Sequence, residues 1–271
     1  MIFKNLLRVT IWNLPNLFFS IIFPFLNKIY YQFKLKYKYN YATKLHLITS
    51  GSTQIYISRK KRLSFYSHGI DNRLKNLSFE YYLDQIEFKE NDLVIDVGAN
   101  IGEVGKYLYE KFKCRIFAFE PEASEFEALK RNLDNHKCQL FNFPLWKSEK
   151  DMKLYKNNDS GDTSLFENHD FKSSINVKTR TLENVLNKNY DKNLLIKLLK
   201  LEAEGAEPEI LMGAGNWLDN IMYITADCGP ERGFKQEKTD ENVKQILIHN
   251  SFEIVKRSNK RGVLLFKNKK L

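Results

Sequence analysis

Short apolar runs alternate with segments of helical periodicity between residues 91 and 266. The apolar runs, each long enough for a buried strand, are 93–97, 115–119, 139–143, 194–201, 221–226, 252–256 and 262–266. Helical periodicity marks the segments 103–112, 124–133, 207–212 and 240–249. Strands without polar alternation, separated by helices, are typical of a parallel sheet that is covered on both faces. The pattern therefore predicts an α/β fold with an open, doubly wound sheet that ends in an antiparallel pair of strands.

The chain before these strands follows a different pattern. Residues 9–27 carry no charge, but Pro15 and Pro24 interrupt this apolar stretch. Alternating apolar and polar positions in residues 44–66 predict a β-hairpin, and residues 77–86 have the periodicity of an amphipathic helix. We therefore divide the chain into three parts, which are an N-terminal segment (1–43), a hairpin with a linker (44–78) and a main domain (79–271).

Composition limits the classes of protein to which this chain can belong. Its 271 residues are 43% hydrophobic and 28% charged, which excludes a disordered chain and a disulfide-stapled miniprotein. The formal net charge is +10, but eleven Lys and Arg residues and no Asp or Glu precede Asp71. From Asp71 onward, 32 basic residues stand against 33 acidic ones, so the body of the chain is neutral. Basic character confined to one end argues against a nucleic-acid-binding domain, and we expect no nucleic-acid partner.

Basic and aromatic residues flank the apolar stretch of the N-terminal segment. Lys4 and Arg8 precede it, while Lys28, Lys34 and several tyrosines follow it. This composition is typical of a helix that lies on an anionic membrane surface, so residues 1–40 predict a peripheral membrane contact. A transmembrane helix is an alternative, because nineteen uncharged residues would just span a bilayer. Packing on the protein's own core or on a second subunit is the third alternative.

The cysteines and histidines give no support to two other kinds of site. Cys114, Cys138 and Cys228 are widely separated, which argues against a disulfide framework and favours a reducing compartment. The five histidines never reach zinc-ligand spacing, and we expect no metal. We therefore expect a cytoplasmic protein, peripheral at the inner face of the cell membrane.

A glycine-containing loop follows the first predicted strand of the main domain. Its sequence, Asp-Val-Gly-Ala-Asn-Ile-Gly-Glu, runs from Asp96 to Glu103. Gly98 and Gly102 let the backbone turn sharply and approach a ligand closely. Their spacing is not the Gly-x-Gly-x-x-Gly of dinucleotide sites, and Glu103 in the first turn of the next helix would repel a pyrophosphate. The loop favours a ligand with positive charge, such as S-adenosylmethionine.

Glu120 ends the second predicted strand, twenty-two residues after Gly98. In a parallel sheet the carboxyl ends of neighbouring strands meet at one edge, where ligands bind. A carboxylate at that edge can accept hydrogen bonds from both ribose hydroxyls of a nucleoside. The loop and the acid together predict a nucleoside site, and a structural turn beside a solvated glutamate is the alternative.

Four segments, VIDVGANIGE, FAFEPEASEFEALKRNL, LLKLEAEGAEPEIL and ADCGPERG, resemble the FkbM family of S-adenosylmethionine-dependent methyltransferases. The resemblance covers about two thirds of the chain, roughly residues 79–266. It implies a Rossmann-like, mostly parallel seven-stranded sheet with an antiparallel last strand, in agreement with the hydrophobic pattern. It also implies that S-adenosylmethionine is the cofactor, held by Asp96, Gly98, Ala99, Asn100, Gly102, Glu120 and Phe143, with Asn142 and Pro144 as alternatives to Phe143.

The third of these segments supplies candidate catalytic residues. The family usually has Lys-Ile-Asp-Val-Glu-Gly where this chain has Lys200-Leu-Glu202-Ala-Glu204-Gly, so the acid at position 202 is longer by one methylene. Transfer of a methyl group to a hydroxyl is accelerated by a base that removes the proton. Glu204 is the first candidate for this base and Glu202 the second, with Lys200 beside them. Alternatively, Glu204 caps the helix that begins at its C-terminal side.

The resemblance implies an O-methyltransferase that acts on a hydroxyl of a small molecule or glycan, for example a sugar of a surface polysaccharide. The alternative is a non-catalytic nucleoside-binding module with the same fold. Residues 159–164 form a candidate lid, Arg232 is a candidate contact for an anionic acceptor, and His169 is a further alternative for the base. The basic run 59–62 is interpreted as a solvated edge of the hairpin, with phosphate or lipid headgroups as an alternative partner.

Overall fold

The structure, a computed structural model, describes residues 14–31, 34–157, 162–258 and 261–271. These residues form thirteen strands and seven α-helices. The strands are β1 (Lys36–Asn40), β2 (Leu45–Ser50), β3 (Thr53–Ile57), β4 (Leu93–Val97), β5 (Arg115–Phe119), β6 (Cys138–Phe141), β7 (Asp151–Lys156), β8 (Thr163–Ser164), β9 (Ser173–Lys178), β10 (Ile196–Leu201), β11 (Ile221–Asp227), β12 (Phe252–Arg257) and β13 (Val263–Asn268). The helices are α1 (Asn16–Tyr31), α2 (Ile70–Glu80), α3 (Glu103–Phe112), α4 (Ala123–Asn132), α5 (Leu182–Asn189), α6 (Glu207–Ala214) and α7 (Asp240–His249). Short 3₁₀ helices lie at Lys60–Tyr66, Leu83–Gln85 and Gly215–Asn220.

Within the described residues, seven strands form the central sheet in the order β12-β13-β11-β10-β4-β5-β6. Strands β11, β10, β4, β5 and β6 pair in parallel, whereas β13 is antiparallel to both of its neighbours. The Rossmann-like α/β fold predicted from the sequence, with its antiparallel last strand, is confirmed. Val97 pairs with Phe119 on one side and Leu201 on the other, so β4, β5 and β10 end at one edge of the sheet.

The central strands are buried because helices cover both faces of the sheet. All five residues of β4 are buried. Ile95 and Val97 belong to a cluster with residues of α5, α6 and α7, and Val94 belongs to the opposite cluster with residues of α3 and α4. Alternate side chains therefore enter two apolar layers, which explains why these strands appear in the sequence as apolar runs.

A small antiparallel sheet, in the order β8-β7-β9, lies between β6 and β10 in the chain. The hydrophobic pattern does not predict this sheet, because β7 and β9 are largely polar and β9 is mostly exposed. A backbone hydrogen bond of 2.8 Å from Trp146 to Arg180 closes the base of this insertion. The two residues of β8 belong to the candidate lid, and residues 159–161 of that lid lie outside the described residues.

The extension, residues 14–78, contains the predicted hairpin as β2 and β3, which pair antiparallel around Gly51. β1 adds a third strand that the sequence pattern does not predict. The helix expected over residues 77–86 is wrong in its position, since α2 ends at Glu80 and Tyr82 adopts a left-handed conformation. This change of backbone direction stops the helix well before the expected end.

The hairpin packs against the main domain through a continuous core. Ile101 and Ala128 of the main domain belong to the same buried cluster as Ile55 of the hairpin. The side chain of Asn132 accepts a hydrogen bond from the backbone N–H of Tyr56 and donates to its carbonyl, each at 2.8 Å. The sequence-based boundary between hairpin and main domain stays an interpretation, and this core runs across it.

Helix α1 packs one face on the three-stranded sheet. Phe19 and Phe23 are buried there and stack with ring centroids 5.0 Å apart. On the other face, five large apolar side chains are between 54% and 68% exposed, namely Leu17, Phe18, Ile21, Phe25 and Ile29. None of the described helices combines the length and the apolar character that crossing a membrane requires. Residues 1–13 of the predicted membrane-surface segment lie outside the described residues.

Candidate cofactor and active site

A cleft opens at the edge of the sheet where β4, β5 and β10 end. Its empty volume, including the open mouth, is about 770 Å³. Six of the ten site residues proposed from the sequence line it, namely Gly98, Asn100, Glu120, Phe143, Glu202 and Glu204. The other four are buried behind this lining, namely Asp96, Ala99, Gly102 and Lys200. The topology therefore brings residues from four separate strand ends to one cavity.

The glycine loop, residues 98–102, is packed tightly against its neighbours. Gly98 and Gly102 have φ angles of +68° and +85°, a region that favours glycine. A Cβ atom on Gly98 would lie 1.8 Å from the carbonyl oxygen of Glu202, and one on Gly102 would lie 2.6 Å from Leu129 Cδ1. Both glycines are therefore required for close packing within the protein. The sequence analysis instead explained them by the close approach of the backbone to a ligand.

Every backbone N–H of the glycine loop donates within the protein at 2.8 to 3.0 Å. Gly98 and Ala99 donate to the carbonyl of Phe119, and Gly102 donates to the carbonyl of Ala99. Asn100 donates to the carboxylate of Glu120, and Ile101 donates to the side chain of Asn100. A phosphate cradle requires several free N–H groups that point at the anion. The filled loop therefore disfavours the pyrophosphate of a dinucleotide.

Glu103 begins α3, but its carboxylate contacts the extension and does not line the cleft. Arg73 approaches it with two nitrogen atoms at 2.9 and 3.4 Å, and the hydroxyl of Tyr66 donates to it at 2.7 Å. Although burial raises the pKa of Glu103, these partners hold it below its ordinary value. The expectation that Glu103 repels a pyrophosphate is therefore wrong, because its charge is neutralised. A pyrophosphate is disfavoured for a different reason, which is that the N–H groups of the glycine loop already donate within the protein.

Glu120 lies at the end of β5 and is only 4% exposed. One carboxylate oxygen accepts the N–H of Asn100 and the other accepts the N–H of Glu122, each at 2.8 Å. Burial raises the pKa of Glu120 to about 8. Each carboxylate oxygen has a second acceptor position, so Glu120 can still take the two hydroxyls of a ribose.

An aromatic wall continues from Glu120 along the cleft. Phe143 lines the cleft beside Phe119, with ring centroids 5.8 Å apart in an edge-to-face arrangement. The guanidinium of Arg180 lies 4.6 Å from the centre of the Phe143 ring. Asn142, the alternative to Phe143, instead donates to the carbonyl of Glu120 at 2.8 Å. A flat apolar wall beside a ribose acceptor suits an adenine ring.

Lys200 lies beneath the glycine loop and does not line the cleft. Its side chain is 2% exposed, and its ammonium group lies 3.0 Å from Asp96 and 3.2 Å from Glu202. It also donates to the carbonyl of Gly98 at 2.8 Å. Although burial lowers the pKa of Lys200, the two carboxylates raise it above its ordinary value. The geometry gives Lys200 a positioning role, and the catalytic role proposed for it stays a prediction.

Glu202 reaches the cleft from the end of β10 and is held by three partners. Besides Lys200, the guanidinium of Arg261 lies 3.3 Å away, and the hydroxyl of Tyr81 donates to the carboxylate. Although burial raises the pKa of Glu202, these partners hold it below its ordinary value. The sequence pattern does not identify Arg261 or Tyr81. An ionised carboxylate with fixed partners suits a neighbouring sulfonium or ammonium group better than proton abstraction.

Glu204 also lines the cleft, in a left-handed conformation with φ of +49°. The hydroxyl of Ser164 donates to its carbonyl at 2.8 Å and so joins this turn to β8. Burial and the nearby carboxylates of Glu231 and Asp162 raise the pKa of Glu204 well above its ordinary value. Glu207 accepts the backbone N–H groups of Ala203 and Gly205 at this turn. The N-cap residue of α6 is Ala206, with no side-chain capping hydrogen bond, so the alternative that Glu204 caps this helix is wrong.

The remaining candidates from the sequence do not line the cleft. Arg232 pairs with Glu209 of α6 at 2.6 Å, which gives its charge a partner within the protein. His169 is exposed and packs against the ring of Phe234 at 4.9 Å. Among the described residues, no group of His, Cys, Asp and Glu is arranged to hold a metal ion.

Arg62 lines the cleft from the extension, a role that the sequence pattern does not predict. Its side chain is 14% exposed, and a guanidinium nitrogen lies 3.8 Å from Glu103. Arg59 is 22% exposed and pairs with Glu125 at 3.3 Å. The interpretation of residues 59–62 as a solvated edge is therefore wrong for these two arginines, which pair with buried carboxylates of the main domain.

The fold and the cleft define a Rossmann-like protein with a candidate nucleoside site at the carboxyl edge of its sheet. Residues 96–254 match the methyltransferase FkbM domain. This match covers more than half of the chain, which therefore belongs to the FkbM methyltransferase family. The family resemblance noted in the sequence is thereby confirmed.

Two relatives and one solved structure are similar to this chain. Methyltransferase 1 of Beauveria bassiana (strain ARSEF 2860) is 24% identical over 184 residues, which cover 56% of this chain and 72% of that protein. Methyltransferase sdnD of Sordaria araneosa is 29% identical over 173 residues, which cover 51% of this chain and 66% of that protein. The structure of M. capricolum TrmK in complex with S-adenosylhomocysteine covers 70% of this chain and 69% of that chain, with 14% identity and a TM-score of 0.40.

S-adenosylmethionine is the cofactor of this family, and the cleft fits it. Glu120 is a buried carboxylate with spare acceptor positions for a ribose. Phe143 offers an apolar face for the adenine, and the ionised Glu202 lies in the same cleft for the positive groups of the amino-acid end. When bound, the cofactor supplies a methyl group that is electrophilic because it is attached to a sulfonium.

Proposed function

We propose that this protein transfers a methyl group to a hydroxyl, with Glu204 as the general base. The observation that carries the proposal is Glu204 itself, a half-buried carboxyl group of strongly raised pKa that lines the same cleft as Glu120. A raised pKa makes the ionised carboxylate a stronger base, and perturbed carboxyl groups cluster at functional sites. Glu202 is the second candidate, but its lowered pKa makes it a weaker base.

The proton of the acceptor hydroxyl passes to Glu204 during the reaction. As the acceptor oxygen bonds to the methyl carbon, the carbon–sulfur bond breaks and its electron pair stays on sulfur. Glu204 must be ionised to accept the proton, so turnover rises with pH toward the raised pKa of this group. Glu202, kept ionised by Lys200 and Arg261, stabilises positive charge in the cleft before transfer.

The charge of the cleft favours a neutral acceptor, such as a hydroxyl of a small molecule or a glycan. Among the described residues that line it, four are acidic and one is basic, namely Glu120, Asp162, Glu202, Glu204 and Arg62. A lining with a single basic side chain offers a polyanion such as a nucleic acid few cationic partners. The neutral charge balance after Asp71 also supports an acceptor other than nucleic acid.

Transfer of a tritium-labelled methyl group to cell-envelope extracts, free sugars and total RNA tests this proposal. We expect label in the glycan or sugar fraction that resists mild alkali, because methyl ethers, unlike methyl esters, are not hydrolysed. Glu204→Gln should lower turnover by ~10²–10⁴-fold and leave S-adenosylhomocysteine affinity nearly unchanged. Near-normal turnover of this variant would show that Glu204 is not the general base. Label in the RNA fraction would show that the acceptor is RNA and not a sugar or glycan.

A nucleoside-binding module without transfer activity is the second candidate. The observation that favours it is Glu202, which is one methylene longer than the aspartate usual in the family. Tight binding of S-adenosylhomocysteine, together with no label in any acceptor fraction, supports this candidate over the enzyme.

We further propose that α1 lies on an anionic membrane surface, at the inner face of the cell membrane. Its exposed apolar face carries five large side chains, from Leu17 to Ile29. Four exposed lysines follow in this region, namely Lys28, Lys34, Lys36 and Lys38. No carboxylate precedes Asp71 in the sequence, so nothing in this segment opposes attraction to anionic lipid. This placement would bring the cleft close to lipid-linked glycan precursors.

Sedimentation with vesicles of phosphatidylglycerol and phosphatidylcholine tests the membrane contact against vesicles of phosphatidylcholine alone. We expect binding to the anionic vesicles that high salt weakens and that Phe18→Ser/Ile21→Ser/Phe25→Ser abolishes. Met212→Ser/Ile248→Ser, which removes apolar side chains of similar exposure from α6 and α7, is the matched control. If the wild-type protein does not bind vesicles but forms a dimer that the same three substitutions disrupt, this face is a dimer interface and not a membrane contact.

A further inference from the structure

A groove lies between α1 and the three-stranded sheet of the extension, outside the segment 96–254 that matches the family. Its empty volume, including the open mouth, is about 1000 Å³. Three lysines line it together with a hydroxyl group, an exposed aromatic ring and a buried leucine. These residues are, in the same order, Lys28, Lys34, Lys36, Thr49, Phe25 and Leu35. The groove contains none of the residues assigned to methyl transfer, so its basic lining requires an explanation of its own.

The fold brings these lysines together from two separate elements. Lys28 lies in the last turn of α1, and Lys36 opens β1. Lys34 and Lys36 are exposed on either side of buried Leu35, as expected where alternate side chains of an extended chain share a face. Lys36 is also the strand partner of Thr49 in the antiparallel pairing of β1 with β2. The chain therefore collects three ammonium groups and a hydroxyl around one groove.

The polar groups of the groove are free to meet a ligand. Within the part of the chain that the structure describes, the three ammonium groups form no ion pair and no hydrogen bond, and the hydroxyl of Thr49 is equally without a partner. Asp71, the first carboxylate of the chain, accepts a hydrogen bond of 3.0 Å from Thr53 and does not line the groove. Like charges at one groove repel one another, so an anion bound there would be stabilising.

A phosphate suits these donors better than a carboxylate does. A terminal phosphate group carries roughly 1.5 to 2 negative charges at neutral pH and has three strong acceptor oxygens. Each lysine offers three donors on a compact charge, which is typical of phosphate sites, and Thr49 adds a hydroxyl. A carboxylate brings a single charge and two oxygens, so it would leave more of the lysine charge without a counterion.

The surroundings of the groove indicate that this phosphate belongs to a lipid. Phe25 lines the groove and is 62% exposed, as part of the apolar face of α1. An apolar face beside cationic side chains is typical of helices that reach the acyl chains while their lysines meet the headgroups. Single-stranded nucleic acid would need aromatic platforms for its bases, whereas Leu17, Ile21 and Ile29 on this face are aliphatic.

We propose that this groove binds the terminal phosphate of an anionic lipid, with the three lysines as its partners. This inference rests on the membrane contact proposed for α1 and adds to it a preference for one kind of headgroup. Contact by charge alone depends on the surface potential of the membrane and not on the chemistry of the anion. A groove with directed donors distinguishes a phosphate monoester from a carboxylate at equal surface potential.

Sedimentation of the full chain with two kinds of vesicle tests this preference. Both contain phosphatidylcholine, one with phosphatidic acid and the other with cholesteryl hemisuccinate, mixed to the same zeta potential. Phosphatidic acid exposes a terminal phosphate, whereas the hemisuccinate exposes a carboxylate. We expect the wild-type protein to bind the phosphatidic acid vesicles ~10-fold more tightly. Equal binding to the two overturns the proposal, and binding to neither contradicts the membrane contact itself, which is a separate failure.

Lys34→Gln/Lys36→Gln removes two of the three charges and should abolish the preference, so that the two kinds of vesicle bind alike. Lys38→Gln/Lys44→Gln is the matched control, because it removes two exposed charges of the same extension that lie outside the groove lining. The control should weaken binding to both vesicles by a similar factor and keep the ~10-fold preference. If the control loses the preference as well, or the groove variant keeps it, the proposal is wrong.

Two soluble competitors identify the source of the phosphate. Glycerol 3-phosphate offers the same phosphate without acyl chains, and we expect it to displace the protein from phosphatidic acid vesicles only in large excess over the lipid. Displacement at an equal concentration would show that the groove binds a soluble phosphate. Displacement by single-stranded RNA that Lys34→Gln/Lys36→Gln no longer binds would show that it binds nucleic acid. Either result overturns the assignment to a lipid.

Discussion

Gly98 packs against the carbonyl oxygen of Glu202 so closely that a Cβ atom at Gly98 would lie 1.8 Å from it. The backbone N–H of Glu202 also donates to the carbonyl of Val97 at 3.2 Å. The glycine loop after β4 and the acidic segment after β10 therefore meet through their backbones. This contact fixes the position of the predicted cofactor-binding residues relative to Glu202 and Glu204, so one glycine links both halves of the candidate site.

Gly98→Ala should destabilise the protein by about 3 kcal/mol or more, because the new methyl group collides with backbone atoms that cannot move freely. S-adenosylhomocysteine affinity should fall with it, since the loop must shift. Gly51→Ala is the matched control, because Gly51 has a φ of +60° but nothing within 4 Å of the added Cβ. This control should cost only about 1 kcal/mol. Chemical denaturation and calorimetry measure both effects, and equal losses for the two variants would refute the packing argument.

Lys200→Met should lower the free energy of unfolding by about 3–5 kcal/mol, because it leaves Asp96 buried without its cation. Asp96→Asn in the same chain should recover part of this loss by removing the unpaired charge. Urea titrations of the two variants measure the difference. If Lys200→Met is as stable as the wild type and loses only turnover, the predicted catalytic role of Lys200 is correct and the positioning role is wrong.

The central sheet could be predicted from the sequence because burial on both faces leaves a strong signal. β4 is apolar at four of its five positions, and its one acid, Asp96, is paired with Lys200 inside the protein. β1 and β9 leave no such signal, since most of their exposed positions carry polar side chains. Their strand conformation depends on pairing with a partner strand, which composition alone does not show.

The candidate site was predictable where its residues follow directly after strands. Gly98, Glu120 and Glu204 reach one edge because parallel strands carry them there. Arg62 and Arg261 reach the same region from segments far away in the chain, through tertiary packing that no local pattern encodes. Charged residues of this kind look like solvated surface in the sequence, and only their buried partners distinguish them.

The affinity for a nucleoside should depend on pH through Glu120, whose pKa burial raises to about 8. Ribose hydroxyls donate to the ionised carboxylate, so binding favours the ionised form and releases a proton below that pKa. Affinity should therefore rise from pH 6 to pH 8, by up to tenfold per pH unit, and level off above it. 5′-Methylthioadenosine is the ligand to use, because it has no amino-acid end that titrates in this range.

Glu120→Gln is the control for this pH dependence, since the amide does not titrate. It should bind 5′-methylthioadenosine more weakly at pH 8 than the wild type does, and its affinity should be flat across the range. Calorimetry in buffers of different ionisation enthalpy counts the released proton directly. A wild-type profile as flat as that of the variant would show that Glu120 is not the group that holds the ribose.

Asn132→Ala should loosen the extension from the main domain and weaken the cofactor site with it. The amide of Asn132 makes three hydrogen bonds of 2.8 Å, to the N–H and carbonyl of Tyr56 and to the carbonyl of Ile101. Alanine leaves these backbone groups unpaired, so the free energy of unfolding should fall by about 2–4 kcal/mol. Because the hairpin beyond Tyr56 leads directly to Arg62, which lines the cleft, S-adenosylhomocysteine affinity should fall as well. Asn250→Ala, which removes one side-chain hydrogen bond to the carbonyl of Ile246, is the control and should leave that affinity unchanged. If Asn132→Ala loses stability but keeps its affinity, the extension does not support the cofactor site.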